Sequence, residues 1–427
     1  MNLLDVIIAI QHNLLYQVAL LFFAGYPIVM SLIWITTSFF YRSRWEPEAD
    51  ESDHANEMPY QPFVSVLIPV YNEADVIEHA VVAAMNLDYP NFEVVVVNDG
   101  STDHTRAMLG RHVASGKLRV VDKAKNEGKA LAMNDALPCL NGEIILIIDA
   151  DAELEPAALR HMVTHFRSGR VAAVAGNPRV KNVETFLARL QLIEFTSIVS
   201  LLRRAQRVWG RVITVSGVVA AFRKSALIDV GLFSPDMPTE DIDLTWKLQK
   251  RFWDVRYEPN AIVWMNVPTT LKGLFKQRLR WARGLLQVLR KHRDVITTWK
   301  MRRMWPIFIE SSLSALWALC FVSLTTIWII SYSLGYPPIG ASPIPNLWGM
   351  IIATMCLVQL FVGAWMERRY DPEILSYYPY AIYYPIVYWM FMSICSVIAL
   401  PRLFWTPRAK PVVWSTPRDV KPVKVTQ

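Results

Sequence analysis

Acidic and amide residues in this chain recur directly after short apolar runs. Tyr71-Asn72-Glu73 follows Phe63–Pro69, and Asn98-Asp99-Gly100-Ser101-Thr102-Asp103 follows Phe92–Val97. Asn126-Glu127-Gly128-Lys129 follows Leu118–Val121, and Asp149-Ala150-Asp151 follows Ile144–Ile148. Each alone has an ordinary use. Asn-Asp-Gly-Ser turns cap helices, Asp-x-Asp arises by chance, and Glu-Gly-Lys suits a solvated turn. Gathered at one edge without a ligand, these carboxylates would repel one another and weaken the fold. Together they suit a nucleotide-sugar. A diphosphate needs a divalent cation (Mg2+ or Mn2+), and such a hard ion takes carboxylate oxygens and waters, here from Asp151 with Asp149 beside it. Asp99 can accept hydrogen bonds from a uracil or ribose, and Lys129 can hold a phosphate or base oxygen.

The elements that would hold these residues alternate. Four apolar runs read as strands, and Glu73–Met85 and Lys129–Leu137 read as helices. Continuous apolar strands alternating with helices predict an α/β domain with a parallel sheet covered on both faces. Ligands of such sheets sit beyond the carboxyl ends of the strands, where the polar groups fall. No GxGxxG follows the first strand, which argues against a dinucleotide fold.

The rest of the chain points to a membrane. Of 427 residues, 53% are hydrophobic, and the net charge of +7 clusters beside apolar runs rather than forming a nucleic-acid surface. No Asp, Glu, Lys or Arg occurs from Val6 to Tyr41, and about 20 such residues span a bilayer. One span is expected at 17–40, preceded by a short interfacial helix or hairpin arm. The run lacks the basic start and short length of a cleavable signal. Arg42 and Arg44 then place the next domain in the cytoplasm. Apolar runs return at 305–334, 347–366 and 374–400. Pro337, Pro338, Pro343 and Pro345 mark an external turn, and Glu367, Arg368 and Arg369 close the second run. Pro379 and Pro385 break the third into an interfacial or re-entrant piece, which keeps the basic tail (Arg402, Arg408, Lys410, Arg418, Lys421, Lys424) cytoplasmic. In 268–300, Leu271, Leu274, Phe275, Leu285, Leu286 and Leu289 recur at helical spacing among Lys272, Lys276, Arg278, Arg280, Arg283 and Arg290, as in a helix lying in the interface. The four cysteines form no metal or disulfide pattern. The resulting layout is a membrane segment 1–41, an acidic polar linker 42–60, an α/β domain 61–267, an interfacial helix 268–303, a transmembrane region 304–400 and a tail 401–427.

Two downstream motifs add to this set. Thr239-Glu240-Asp241 opens a helix, where three early acids would also suit the helix dipole. Gln277-Arg278-Leu279-Arg280-Trp281 follows about 35 residues later. With Asn98-Asp99-Gly100-Ser101 and Asp149-Ala150-Asp151, these resemble the family 2 glycosyltransferases of GT-A fold, specifically the processive membrane synthases of cellulose, chitin and hyaluronan. Gly176-Asn177-Pro178-Arg179, Thr214-Val215-Ser216-Gly217-Val218 and Thr239–Asp243 resemble the bacterial poly-β-1,6-N-acetylglucosamine synthases most. The resemblance implies a processive inverting enzyme of the bacterial inner membrane, multi-pass, with its catalytic domain in the cytoplasm. It would polymerise N-acetylglucosamine from UDP-N-acetylglucosamine into a biofilm exopolysaccharide and move it across the bilayer. A hyaluronan- or chitin-type synthase and a catalytically inactive membrane scaffold are the alternatives.

The resemblance also assigns roles. Asp99 and Lys129 hold uridine. Asp149 and Asp151 hold nucleotide and metal. Tyr71, Asn72 and Glu73 join the donor site. Asp241, beside Glu240, is the base, and Gln277, Arg280 and Trp281 line the acceptor and pyrophosphate region. It further implies a small partner membrane subunit, the growing polysaccharide and the lipid bilayer as partners. Two departures stand out. Some relatives carry a metal-ligating histidine late in the domain, whereas this chain has Val263-Trp264-Met265-Asn266. Trp414-Ser415-Thr416-Pro417-Arg418 resembles only loosely a tail motif that closes over the nucleotide.

Overall fold

A computed structural model of the chain describes residues 3–46, 60–335, 347–401 and 412–413. The linker residues 47–59, the proline-rich turn and the motif Trp414–Arg418 lie outside these. Helix α1 (Leu3–Gln11) leads into α2 (Leu14–Trp45), whose N-cap Asn13 accepts from the Leu15 amide at 2.8 Å. Thirty-two residues at 1.5 Å each give a rod of about 48 Å, longer than the ~30 Å hydrocarbon core. The last turns of α2 therefore reach the α/β domain, where Ser38 donates to the Leu201 carbonyl at 2.8 Å and Tyr41 to the Tyr257 carbonyl at 3.2 Å.

The expected alternation follows: β1 (Val64–Val70), α3 (Ile77–Met85), β2 (Phe92–Asn98), α4 (Thr105–Ala114), β3 (Leu118–Asp122), α5 (Lys129–Ala136) and β4 (Ile144–Ile148). Then come β5 (Ala152–Leu154), α6 (Ala158–Thr164), β6 (Val171–Val180), α7 (Phe186–Ile193), α8 (Ser200–Trp209), β7 (Val219–Arg223), α9 (Lys224–Asp229), α10 (Glu240–Lys250) and β8 (Asp254–Met265). Among the described residues these strands form one sheet in the order β3-β2-β1-β4-β7-β6-β8-β5. It is mixed, not purely parallel as expected. β7 runs antiparallel to both β4 and β6, and β5 antiparallel to β8. The departure begins where alanine replaces β-branched residues, at Ala172, Ala173, Ala175, Ala220 and Ala221. These are fully or nearly fully buried, so packing overrides a weak strand propensity.

Alternate side chains of the strands supply two separate cores. Val64, Val66, Ile68, Val94 and Val96 pack under Ile77, Leu109, Leu159 and Met162. Leu67, Val95 and Val97 pack under Met133, Leu227, Leu244 and Leu248 on the other face. The helices α3, α4 and α6 thus cover one side, and α5, α9 and α10 the other.

After β8 the chain forms α11 (Leu271–Lys291), α12 (Asp294–Thr297), α13 (Trp305–Ser333), α14 (Leu347–Glu367), α15 (Ile374–Tyr377) and α16 (Trp389–Ala399). Among the described residues, four helical segments are long and apolar enough to cross a membrane: Leu14–Trp45, Trp299–Ser333, Gly349–Glu367 and Ile374–Ala399. In the last, Pro379 and Pro385 interrupt the regular α-helix, as expected, while the chain stays helical. Each sits in the first turn of a new segment, a 3-10 stretch Tyr378–Tyr383 and a π turn Tyr384–Tyr388.

Two charges expected at the membrane boundary are buried instead. Arg278, read as an interfacial cation, is 2% exposed within α11. Glu367, read as closing a span in solvent, is fully buried and accepts from both Arg179 and Arg204. Arg204 also reaches Glu46, at 2.5 Å. This network joins the ends of α2 and α14 to β6 and α8. Buried ion pairs add little net stability, but they fix one register, and the α/β domain is thereby held in one orientation on two membrane helices. The Gly176–Arg179 motif contributes Arg179 to this joint.

Candidate active site

The strand ends at one edge carry the polar clusters. At β2, Asp99 is fully buried. Its carboxylate accepts from the amides of Glu127 at 3.1 Å and Gly128 at 2.7 Å. Asp99 thus shapes the turn from which Lys129 starts α5. Lys123 stands 3.5 Å from Asp99, 3.0 Å from Glu127 and 2.6 Å from Asp135. Burial works against its charge, but these partners outweigh that and raise its pKa. The sequence reading missed Lys123, although it follows β3 directly and obeys the same rule as the others. Asn72, with φ of 53°, and Glu73 are knitted to the next loop. The Asn72 side chain accepts from the Thr102 amide at 2.8 Å, and the Glu73 amide donates to Thr105 at 3.0 Å. Tyr71, partly exposed, precedes them. The Val412 amide donates to the Pro235 carbonyl at 2.9 Å, and the Val412 carbonyl lies directly over Gly128, so the tail crosses this end of the site.

The centre of the cluster is Lys129. Its ammonium donates to Asp149 at 2.6 Å and to the Gly217 carbonyl at 3.1 Å, and stands 3.5 Å from Glu240. Burial lowers the pKa of this amine, but Asp149, Glu240 and Asp241 together outweigh it and raise it. Lys129 therefore joins the Asp149 strand end to the Thr239-Glu240-Asp241 turn as their shared counter-ion. Asp241 is pushed up to about 6, chiefly by burial and then by the Glu240 charge, against the pull of Lys129 and Arg280. A carboxylate poised there is suited to take a proton near neutral pH.

The antiparallel β7 gives the Thr214–Val218 motif its place. Because Ile148 pairs with Val219, the lead-in Thr214–Val218 lies beside Asp149, whose amide donates to Val218 at 3.0 Å. Thr214 donates to the Asp241 carboxylate at 3.3 Å. A Cβ on Gly217 would stand 3.1 Å from the same carboxylate, so the missing side chain leaves room for Asp241.

The three acids of α10 divide their roles. Asp243 faces away from Lys129 and accepts from His292 at 2.8 Å, Ser234 at 2.5 Å and Lys291 at 2.9 Å, clamping α10 to the end of α11. Farther along α11, Gly284 packs on Thr239. Arg280 donates to the Pro238 carbonyl at 3.0 Å and acts electrostatically on Asp241. Trp281 packs edge-on to Phe195 under the Arg278 guanidinium. Gln277 is partly buried, and its Oε1 has no hydrogen-bond partner among the described residues. The geometry thus gathers Lys129, Asp149, Glu240, Asp241 and Arg280, with Asp99 at the head of the same helix. Gln277 and Trp281 stand beside this group on α11.

No group of three or more His, Cys, Asp and Glu occurs among the described residues at metal-binding separation. Asp149 and Asp151 are two hard oxygen donors, enough for an ion that completes its shell from a diphosphate and water. One step beyond the Ala152–Met265 pair of the β5–β8 ladder, Asp151 stands opposite Asn266, whose buried Oδ1 lacks a partner among the described residues. An oxygen donor thus occupies the stretch where the sequence lacks a histidine. The residues present fit a divalent cation.

Residues 65–231 match the sequence profile of Glycosyl transferase family 2. Over 412 residues the chain is 31% identical to a poly-beta-1,6-N-acetyl-D-glucosamine synthase of Staphylococcus epidermidis, covering 93% of this chain and 97% of the relative. It is 32% identical over 415 residues to that of Staphylococcus aureus, with the same shares covered. Among solved structures it is similar in fold to the mannosyltransferase PcManGT from Pyrobaculum calidifontis in complex with GDP-Man and Mn2+. The TM-score is 0.60 over 89% of this chain and 99% of that one, at 23% identity. Fold and relatives together define a membrane glycosyltransferase with a GT-A-type α/β domain. The chain belongs to glycosyl transferase family 2, among its poly-β-1,6-N-acetyl-D-glucosamine synthases.

Proposed function

We propose that this enzyme transfers N-acetylglucosamine from UDP-N-acetylglucosamine to the end of a growing β-1,6-linked chain and passes that chain across the bilayer. The observation that carries this reading is the Lys129-centred cluster of Asp149, Glu240 and Asp241, packed against the helix bearing Gln277, Arg280 and Trp281. Donor and acceptor groups thereby share one wall. Going from an α-linked donor to a β-bond requires one inverting displacement. The acceptor hydroxyl must lose its proton as the bond forms, and Asp241 is the base that takes it. Lys129 and Arg280 offset the charge of the departing UDP. Asp149 and Asp151, with Asn266, would hold a divalent cation, which would supply positive charge to offset that of the diphosphate. Trp281 offers an aromatic face to an acceptor sugar.

The basic residues Arg42, Arg44, Arg302 and Arg303 beside the spans favour a bacterial inner membrane with the α/β domain in the cytoplasm. Among the described residues at most four helices are long and apolar enough to cross, few for enclosing a hydrated polymer, which favours a small partner membrane subunit. The test supplies purified protein with UDP-N-acetylglucosamine alone and digests the product with linkage-specific hydrolases. Release of UDP with a product cut only by a β-1,6-specific hydrolase is expected. A preference for UDP-glucose or UDP-glucuronic acid, or a product cut by chitinase, overturns the assignment of donor or linkage.

A further inference from the structure

We infer that Glu194 and Tyr388 are positioning residues for the acceptor site, acting through Arg278 to hold the Trp281 ring in one pose with only one face available to a sugar. This rests on the acceptor role proposed for Trp281.

Arg278 lies one helical turn before Trp281 on α11, so the two share a face. Its guanidinium stands 4.2 Å from the Trp281 ring centroid. That face of the indole is occupied by a cation, and a sugar ring can stack only on the other. The guanidinium is itself held from two sides. It donates to the Glu194 carboxylate and to the Tyr388 hydroxyl at 3.0 Å, while Tyr388 donates to Glu194 at 2.6 Å. Phe195, next to Glu194, meets Trp281 edge-on, with ring centroids 6.1 Å apart. Glu194, Arg278 and Tyr388 are all buried.

The backbone at two of these positions departs from the α-helix. Glu194 opens a π turn, Glu194–Val199, between α7 and α8, and Tyr388 closes the π turn Tyr384–Tyr388 before α16. A π turn inserts a residue and re-aims the side chains around it, and such turns occur often at functional sites. Two π turns from separate parts of the chain thus deliver an acid and a phenol to one buried arginine, which backs the aromatic ring of the QRLRW motif. Simple anchoring of α11 would require none of this convergence.

The test measures transfer to short N-acetylglucosamine oligomers obtained by partial hydrolysis of the enzyme's own product. Tyr388→Phe keeps the shape of the site and removes only the hydroxyl. Glu194→Gln removes the charge that fixes Arg278. Each should raise the acceptor KM about fivefold to tenfold, the size of a lost cation–π or charged hydrogen-bond contact. Each should shorten the polymer and leave the donor KM and UDP affinity unchanged. Arg278→Lys should behave like Glu194→Gln, because an ammonium lacks the planar fork. An unchanged acceptor KM in Tyr388→Phe overturns the inference, provided Trp281→Ala raises that KM. An unchanged KM in Trp281→Ala overturns instead the acceptor role of Trp281. If Glu194→Gln does not fold, Tyr388→Phe decides alone.

Discussion

Gly284→Ala sets two known effects against each other. In a helix interior alanine is better than glycine by about 0.8–1.0 kcal/mol, so propensity alone predicts a more stable protein. The structure predicts otherwise. A Cβ at residue 284 would stand 2.2 Å from Oγ1, 2.4 Å from Cγ2 and 2.8 Å from Cβ of Thr239. Ordinary contacts need about 3.5–4.0 Å, so Thr239 must yield by roughly 1 Å. Threonine is short and stiff at χ1, and the movement must pass to the backbone. Overpacking of this kind costs about 1–3 kcal/mol, which leaves a net change of about 0 to 2 kcal/mol of destabilisation. The larger consequence is catalytic. Thr239 directly precedes Glu240 and Asp241, and a misplacement of about 1 Å at a reacting group can cost ~10²-fold in rate. UDP release should therefore fall by about 10²-fold, while UDP affinity by calorimetry holds, because Asp99 and its turn belong to other strands. Thr239→Ala added to Gly284→Ala removes two of the three close atoms and should recover part of the rate. A Gly284→Ala enzyme with normal turnover and a stability gain of the size propensity gives would refute this packing argument.

Other consequences can be checked the same way. The pKa of about 6 at Asp241 predicts an acid limb in kcat/KM there, with activity rising as pH increases. A carboxylate held above its ordinary value near 4 opposes folding once ionised. Asp241→Asn should thus raise the melting temperature above pH 6, and this gain should fade toward pH 4; an equal gain at pH 4.5 and 7.5 would contradict the assignment. Chelation should abolish activity, and Mg2+ or Mn2+ should restore it. Asp151→Asn and Asn266→Ala should each weaken Mn2+ binding in the presence of UDP by about tenfold or more, measured by titration calorimetry. Asp243 is opposed by burial but held below the usual carboxylate range by His292, Ser234 and Lys291. Its contribution is therefore present above pH 4 and lost as pH falls below that. Asp243→Asn should cost about 1.5–3 kcal/mol at neutral pH, with the gap narrowing in acid unfolding curves.

The early half of the sheet was readable because its strands are unbroken β-branched runs and each ends in a polar turn. The rule that ligands sit beyond strand ends then selected Asp99, Lys129 and Asp149 correctly as neighbours of one edge. The same rule, applied one residue further, would have found Lys123. The mixed half was not readable. Its strands are built from alanine and are buried, so neither alternation nor propensity marks them. Without β7 and its direction, Thr214–Val218 could be noticed only as a motif and not assigned to the wall of Asp241. The division of labour among Glu240, Asp241 and Asp243 was also hidden, because all three share a helix turn and only the neighbours Lys129 and His292 separate them. Charge patterning misled at Arg278 and Glu367. Each lies where a solvated residue at a membrane boundary would lie, and each is paired with a partner at least 84 residues away in sequence.

The most direct test of the account is Asp241→Asn, assayed for UDP affinity by calorimetry and for polymer yield from UDP-N-acetylglucosamine on the same preparation. Removal of a general base typically costs about 10²–10⁴ in rate. The account predicts that loss in polymer with UDP affinity kept, because the turn that Asp99 shapes belongs to other strands. Near-normal polymer yield would contradict the role of Asp241 as base, and loss of UDP binding would make it a donor-site residue instead.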